Sequence, residues 1–214
     1  MTPKERVMAL FERKPIDTMP VFSGLSMLAK PALDEAGYAF PNIHTDHERM
    51  AWAAIRSSRM MNVDCIVVPF DITMQSEALG NSVNFYEDAS DLVFPTIPEK
   101  IWETLEDVEI PDNIHDLGRH HLIPKALEII KREAPEYPIG VWLRGPMTQL
   151  GQILELETVL KAVFKQREKI AIAGAAVVGA TIPLCSCGVI PLIAALLSSG
   201  VPLGPVMALW ISSP

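Results

Sequence analysis

Apolar positions change period along this chain, and the changes mark its elements. Val7, Leu10 and Phe11 fall on one helical face behind Thr2-Pro3-Lys4-Glu5, where a Thr N-cap, a Pro in the first turn and a Glu three residues after the cap predict a first helix of about ten residues. Met19-Pro20-Val21-Phe22-Ser23-Gly24 predicts a short strand ending in a glycine turn. A helix is expected from Leu25 to Ala36, stopped by Gly37 and interrupted by Pro31. Thr45 to Met61 predicts a longer helix, with Asp46 and Glu48 in its first turn and Met50, Ala53, Ala54 and Ser57 at core spacing.

The period then shifts to that of a buried strand. Cys65-Ile66-Val67-Val68-Pro69-Phe70 is a continuous, largely β-branched apolar run of the kind a parallel strand buried on both faces requires, and it runs straight into Asp71. Residues 81–118, punctuated by Pro95, Pro98 and Pro111, predict an irregular surface excursion. His121 to Ala134 is helical again, Tyr137 to Leu143 is a second strand, Arg144-Gly145-Pro146 a turn, and Glu157 to Gln166 a further helix. Strands and helices in alternation predict an α/β fold.

The last 45 residues, Ile170 to Pro214, break the pattern, for they contain no Asp, Glu, Lys, Arg or His. The chain's 18 basic and 26 acidic side chains all lie at or before Lys169, giving a net charge of −8. A helix of that length would reach ~67 Å at 1.5 Å per residue against ~30 Å for a bilayer core, so two crossings fit, although Pro183, Pro191, Pro202 and Pro205 forbid uninterrupted helices. Lys161, Lys165, Arg167 and Lys169 precede the apolar stretch, and the positive-inside rule then leaves 1–169 in the cytoplasm of a membrane-attached protein. The acidic balance and interleaved basic residues exclude a nucleic-acid partner. Three cysteines, Cys65, Cys185 and Cys187, make no disulfide framework, and the charged start is not a signal peptide.

Few residues carry chemistry. Asp71, directly after a buried strand, is placed where a carboxylate acts as acid or base or holds an N–H-bearing substrate; equally, it could cap the turn. Arg144 and Gly145 follow the second strand in the same manner, and an arginine there suits an anion, against a plain turn. His44 and His47 share a helix start but lack companion ligands, which favours a surface helix over a metal site; Cys65 reads as a buried inert thiol. Cys185-Ser186-Cys187 between Pro183 and Pro191 places two soft sulfurs at the centre of the uncharged stretch, fitting a transport path, a thiophilic ligand or close helix packing. No P-loop, dinucleotide fingerprint or nucleophile elbow occurs.

Three segments, MTPKERVMALFERKPIDTMPVF, VDCIVVPFDITMQSEALGNSVNF and VWLRGPMTQL, together resemble the N-terminal half of the uroporphyrinogen decarboxylase superfamily, and within it the corrinoid-dependent methylcobamide:coenzyme M methyltransferases. The resemblance covers residues 1 to about 164 and implies part of a (β/α)8 barrel, with methyl transfer to a thiol as activity and a corrinoid protein or methylcobamide and coenzyme M as partners. It puts Asp71 where the decarboxylases keep the aspartate that binds pyrrole N–H groups, and Gln152 where they keep a tyrosine. It implies a catalytic zinc whose ligands lie in the family's C-terminal half, so no zinc ligands are expected here. From Gly179 to Pro214, GATIPLCSCGVIPLIAALLSSGVPLGPVMALWISSP resembles a permease family related to organoarsenical efflux permeases.

The expectation is therefore a partial barrel over 1–166 followed by a transmembrane hairpin over 167–214, joined as two partial genes near Phe164 to Arg167, with an open barrel that an oligomer would cover. The competing expectation is a fragment of a membrane permease, in which Cys185 and Cys187 matter and the soluble part does not.

Overall fold

Local capping sets the first elements. In the computed structural model, Thr2 accepts from the backbone N–H of Glu5 while the Glu5 carboxylate accepts from that of Thr2, and helix α1 (Pro3–Phe11) starts there as expected. Val7 is buried, but Phe11 is 68% exposed, so the apolar face of α1 is narrower than its spacing predicted. The structure describes the chain except for residues 22, 24–25, 90, 156–157, 160–167, 182–192, 195, 199–200, 202 and 213–214.

Helix α2 (Lys30–Ala36) begins only at Lys30, with Pro31 in its first turn, where proline's missing N–H costs nothing, and it ends on Gly37 at φ +65°. The short α3 (Asn42–Thr45) and the long α4 (His47–Met61) are separated by Asp46, whose extended backbone ends one and caps the other: its carboxylate accepts from the N–H groups of Glu48 and Arg49. Substituting Asp46→Ala removes this cap and is expected to cost about 0.5–2 kcal/mol in urea unfolding. Met50, Ala53, Ala54 and Ser57 are all buried, as their spacing required.

Strand β1 (Ile66–Val68) follows and is buried throughout. Beyond it come α5 (Met74–Ala78), an excursion with a single bridge between Asn84 and Thr96, a 3-10 turn at Ile114–Asp116, and α6 (Leu122–Glu133). Strand β2 (Ile139–Val141) then pairs with β1 in parallel, Ile66 opposite Ile139 and Val68 opposite Val141. A parallel pair needs a long crossover, which α5 through α6 provides. Leu33, Ile43, Met50, Ala54, Ile66, Val68, Ala126 and Ile130 form the core among these helices and strands, and the α/β class is what is observed.

Differences from expectation have local causes. Residues 19–21 and 23 form no strand; Val21 instead accepts from Asp64 N–H and donates to the Asp64 carboxylate, which also takes the Arg6 guanidinium. The turn expected at Pro146 is a helix start, because proline at the first helical position is preorganised, and α7 runs over Pro146–Ile153. The helix expected over 157–166 lies almost entirely outside the described residues.

The chain divides into two compact units: Met1–Glu99 with Ile110–Gln149, and Lys100–Glu109 with Leu150–Pro214. In the second, α8 (Glu168–Thr181) packs on α9 (Leu203–Ser212) around Ala175, Leu196, Val206 and Leu209. Gly179 permits the approach, since a Cβ there would overlap the Leu209 carbonyl and the Ser212 hydroxyl. The expected transmembrane hairpin is not supported. At 14 and 10 residues these helices reach only ~21 and ~15 Å, and among the described residues no helix is long and apolar enough to cross a membrane.

Candidate functional site at the end of the first strand

Asp71 leaves β1 at its C-terminal end and is buried. Its Oδ1 accepts from the backbone N–H of Thr73 at 2.7 Å and from the Thr73 hydroxyl at 2.6 Å, which folds the chain back into α5. Its Oδ2 accepts from Arg119 Nη1 at 2.8 Å and lies 3.1 Å from His44 Nδ1. Arg119 spends every arm of its guanidinium: Nε donates to Glu77 at 2.6 Å, Nη1 also to the His44 carbonyl at 3.0 Å, and Nη2 to the Thr73 hydroxyl at 2.8 Å. Phe85 stacks beneath it, 4.7 Å from the guanidinium carbon to the ring centre.

Gly118, at φ +56°, delivers Arg119 to this position; a Cβ there would press to 3.2 Å against the Ala78 nitrogen and Glu77 Cγ. One guanidinium thus faces two carboxylates, Asp71 fully buried and Glu77 partly exposed. Burial opposes the charge on Asp71, but His44 and the Arg119 guanidinium outweigh it and hold its carboxyl well below the usual carboxylate range.

Beside this cluster, at the same end of the strands, Arg144 donates from Nη2 to Gln75 Oε1 at 3.1 Å. Burial pulls its guanidinium down to about 10, a shift that the negative charge of Asp71 partly offsets. Gln149 donates to the Ser76 hydroxyl at 3.0 Å, and Asn81 to the Ser76 carbonyl at 3.0 Å, while the buried side-chain oxygens of Gln149 and Asn81 have no hydrogen-bond partner among the described residues. Arg144 is thus a half-buried cation held by one amide, Gln75, while Gln149 and Asn81 converge on Ser76, the next residue, and a cation so placed suits a small anionic ligand.

Asp71 and Arg144 therefore stand in one region, as their positions after successive strands predicted. Gly145 sits at the exposed start of α7 with open space where a side chain would be. Gln152 is half-buried on α7 in the second unit. Cys185 and Cys187 lie outside the described residues. Cys65 is buried and donates to the Ser23 carbonyl at 3.5 Å, and burial raises its thiol, as an inert role requires.

Three participants escaped the sequence. Arg119 follows the proline-rich excursion with nothing to mark it, Glu77 read only as part of a motif, and His44 read as a surface residue although it is fully buried, turned inward by the helix break at Asp46. Among the described residues no group of three or more His, Cys, Asp and Glu is placed to hold a metal ion, so these residues do not fit the zinc that the resemblance implies.

Comparison with known proteins places this geometry. The profile described as Uroporphyrinogen decarboxylase (URO-D) matches residues 2–184, running past the seam expected near 166. The methylcobamide:CoM methyltransferase MtaA of Methanosarcina barkeri is 28% identical over 171 residues, 78% of this chain and 49% of that protein. The methylcobamide:CoM methyltransferase MtbA of Methanosarcina acetivorans is 29% identical over 150 residues, 69% of this chain and 43% of that one. A methylated-thiol–coenzyme M methyltransferase of Methanosarcina mazei is 26% identical over 170 residues, 79% and 45% of the two chains.

The chain thus spans about half the length of the curated relatives it matches. A solved methyltransferase from Methanosarcina mazei shares its fold, with a TM-score of 0.68 at 22% identity over 94% of this chain and 57% of that one. With a family profile matching most of its length, the chain belongs to the uroporphyrinogen decarboxylase family.

Proposed function

We propose that the chain is part of a (β/α)8 barrel of the methyltransferase branch, built to bind the thiol acceptor of a methyl group carried by a corrinoid. One observation carries the reading: the alignment of 171 residues with a methylcobamide:CoM methyltransferase, supported by two further relatives whose names include coenzyme M. Coenzyme M is a thiol bearing a sulfonate. Arg144, half-buried beside Gln75, is the cation we assign to that sulfonate, with Gly145 leaving open space at the adjoining turn.

Asp71 takes a positioning role in this reading. In the decarboxylases the corresponding aspartate is thought of as meeting pyrrole N–H groups, whereas here one oxygen is committed to Thr73 and the other to Arg119 and His44. A carboxylate so engaged holds the mouth in shape and favours the methyltransferase branch over porphyrinogen chemistry. Because the described residues do not fit zinc, thiol activation is assigned to residues other than those described.

Calorimetric titration of the 214-residue protein with coenzyme M tests the proposal. Binding is expected, with Arg144→Ala weakening it at least about tenfold, roughly 1.4 kcal/mol, and no methyl transfer from methylcobalamin by this chain alone. Failure of the parent protein to bind coenzyme M, or equal binding by Arg144→Ala, would remove the assignment.

A second reading rests on the absence of charge from Ile170 to Pro214. In it the chain divides at 166/167, the tail associates with a membrane around Cys185 and Cys187, and 1–169 face the cytoplasm. Recovery of the protein from a cell lysate without detergent would count against it.

A further inference from the structure

The end of the strands opposite Asp71 holds a cleft that the proposed function does not use. It has a volume of about 380 Å³ and is lined by Lys4, Lys131, Pro135, Tyr137, Pro138 and Ile139, all in the first compact unit. Local chain geometry builds its floor. Tyr137 N–H donates to the Ala134 carbonyl at 3.1 Å, turning the chain after α6, and the Pro138 carbonyl accepts from Ile66 N–H at 3.1 Å, which ties that turn to the start of β1. α1 closes one side, with Lys4 N–H donating to the Glu136 carbonyl at 2.9 Å. Two prolines of fixed φ, with Tyr137 and Ile139 packed against the core behind them, leave the floor preformed.

Charge is the second observation. Lys4 and Lys131 are exposed and have no ion-pair partner among the described residues, in a chain whose net charge is −8. Neighbouring acids are engaged elsewhere: the Glu5 carboxylate accepts from Thr2 N–H, Glu133 pairs with Arg132, and Glu136 pairs with Arg59. Among the described residues no Asp or Glu lines the cleft. Mostly apolar walls with a few placed polar groups are the usual make-up of a small-ligand site.

We propose that this cleft binds a small aromatic carboxylate of one or two rings. The ring system lies on the surface of Pro135, Tyr137, Pro138 and Ile139, and the carboxylate takes the two lysines, whose flexible stems let both ammonium groups reach one anion. The volume stands at the lower end of the ~300–1,000 Å³ usual for ligand pockets, which sets the limit on size. Arg144 comes five residues after Ile139, ~16 Å along a strand at ~3.3 Å per residue, so the two sites are separate. The proposal is independent of the methyl-transfer reading.

The test titrates the 214-residue protein with 2-naphthoate, followed by calorimetry and by amide chemical shifts. Saturable one-to-one binding is expected, with the shifts centred on the Lys4, Lys131, Tyr137 and Ile139 amides and those of Gln75 and Arg144 unmoved. The double variant Lys4→Gln, Lys131→Gln changes only exposed side chains, so its unfolding midpoint should match the parent's while its affinity falls at least about tenfold. The neutral isostere 2-naphthamide should bind the parent protein at least about tenfold more weakly than the acid. Absence of binding, equal affinity of the double variant, or equal affinity for the amide each overturns the proposal. So do shifts centred on Arg144, which would place the anion in the other site, and shifts of the cleft amides on raising protein concentration without the probe, which would assign the cleft to a second copy.

Discussion

Replacing Arg119 by Ala is expected to cost about 3–5 kcal/mol of stability in urea unfolding at neutral pH, the range for breaking a buried ion pair from one side. The substitution strips Asp71 and Glu77 of their shared cation and removes a donor from Thr73 and from the His44 carbonyl in one step. The pH dependence should weaken as well. In the parent protein the Asp71 carboxyl is held well below its unfolded value of ~3.9, so its contribution is present above that value and is lost as the pH falls through the lower folded one. Without Arg119, burial, already the largest single influence, is opposed by His44, and the carboxyl moves upward from its low position. The variant should then gain less stability than the parent as the pH rises through ~4. Equilibrium unfolding at several pH values distinguishes the two, and equal slopes would show that Arg119 does not control Asp71. Arg119→Lys, which keeps the charge but loses the planar fork, should recover only part of the loss.

Ile66→Ala should cost about 2–5 kcal/mol, because the side chain is fully buried in a strand packed on both faces and its removal leaves a cavity under α4. Val141→Ala, only two positions beyond the register partner of Ile66, should cost less than about 1 kcal/mol in the isolated chain. The contrast measures how unevenly the small sheet is covered. Chemical denaturation of the two variants checks it, and similar losses would mean that Val141 is buried in solution.

What was legible in the sequence was what depends on near neighbours. The capping box of Thr2 and Glu5, the stop at Gly37 and the core face of α4 all involve partners within a few residues, and the structure reproduces each, whereas Asp46, expected inside the first turn of α4, is instead its cap. β1 was legible because a run of β-branched residues has one economical use in an α/β fold. The Asp71 cluster was half legible. Position after a strand singled out the aspartate, but its cation arrives from 48 residues further along, and the same guanidinium reaches a carbonyl 75 residues away. No periodicity or motif encodes pairings of that span. His44 was misread because its burial depends on a helix break rather than on its own spacing. Composition left the tail open: freedom from charge suits a membrane, yet it suits equally two short helices brought together by Gly179.

Arg119 joins segments that otherwise have little in common: the α3 turn at His44, the strand end at Asp71, the start of α5 at Thr73 and Glu77, and the return of the excursion at Gly118. Fastened through one side chain, these segments cannot loosen independently. Their amides should exchange with solvent as a single group, at a common opening free energy, while the excursion between Asn84 and Ile114 exchanges fast and piecemeal. The end of the strands on the side of Asp71 should therefore open only as a unit.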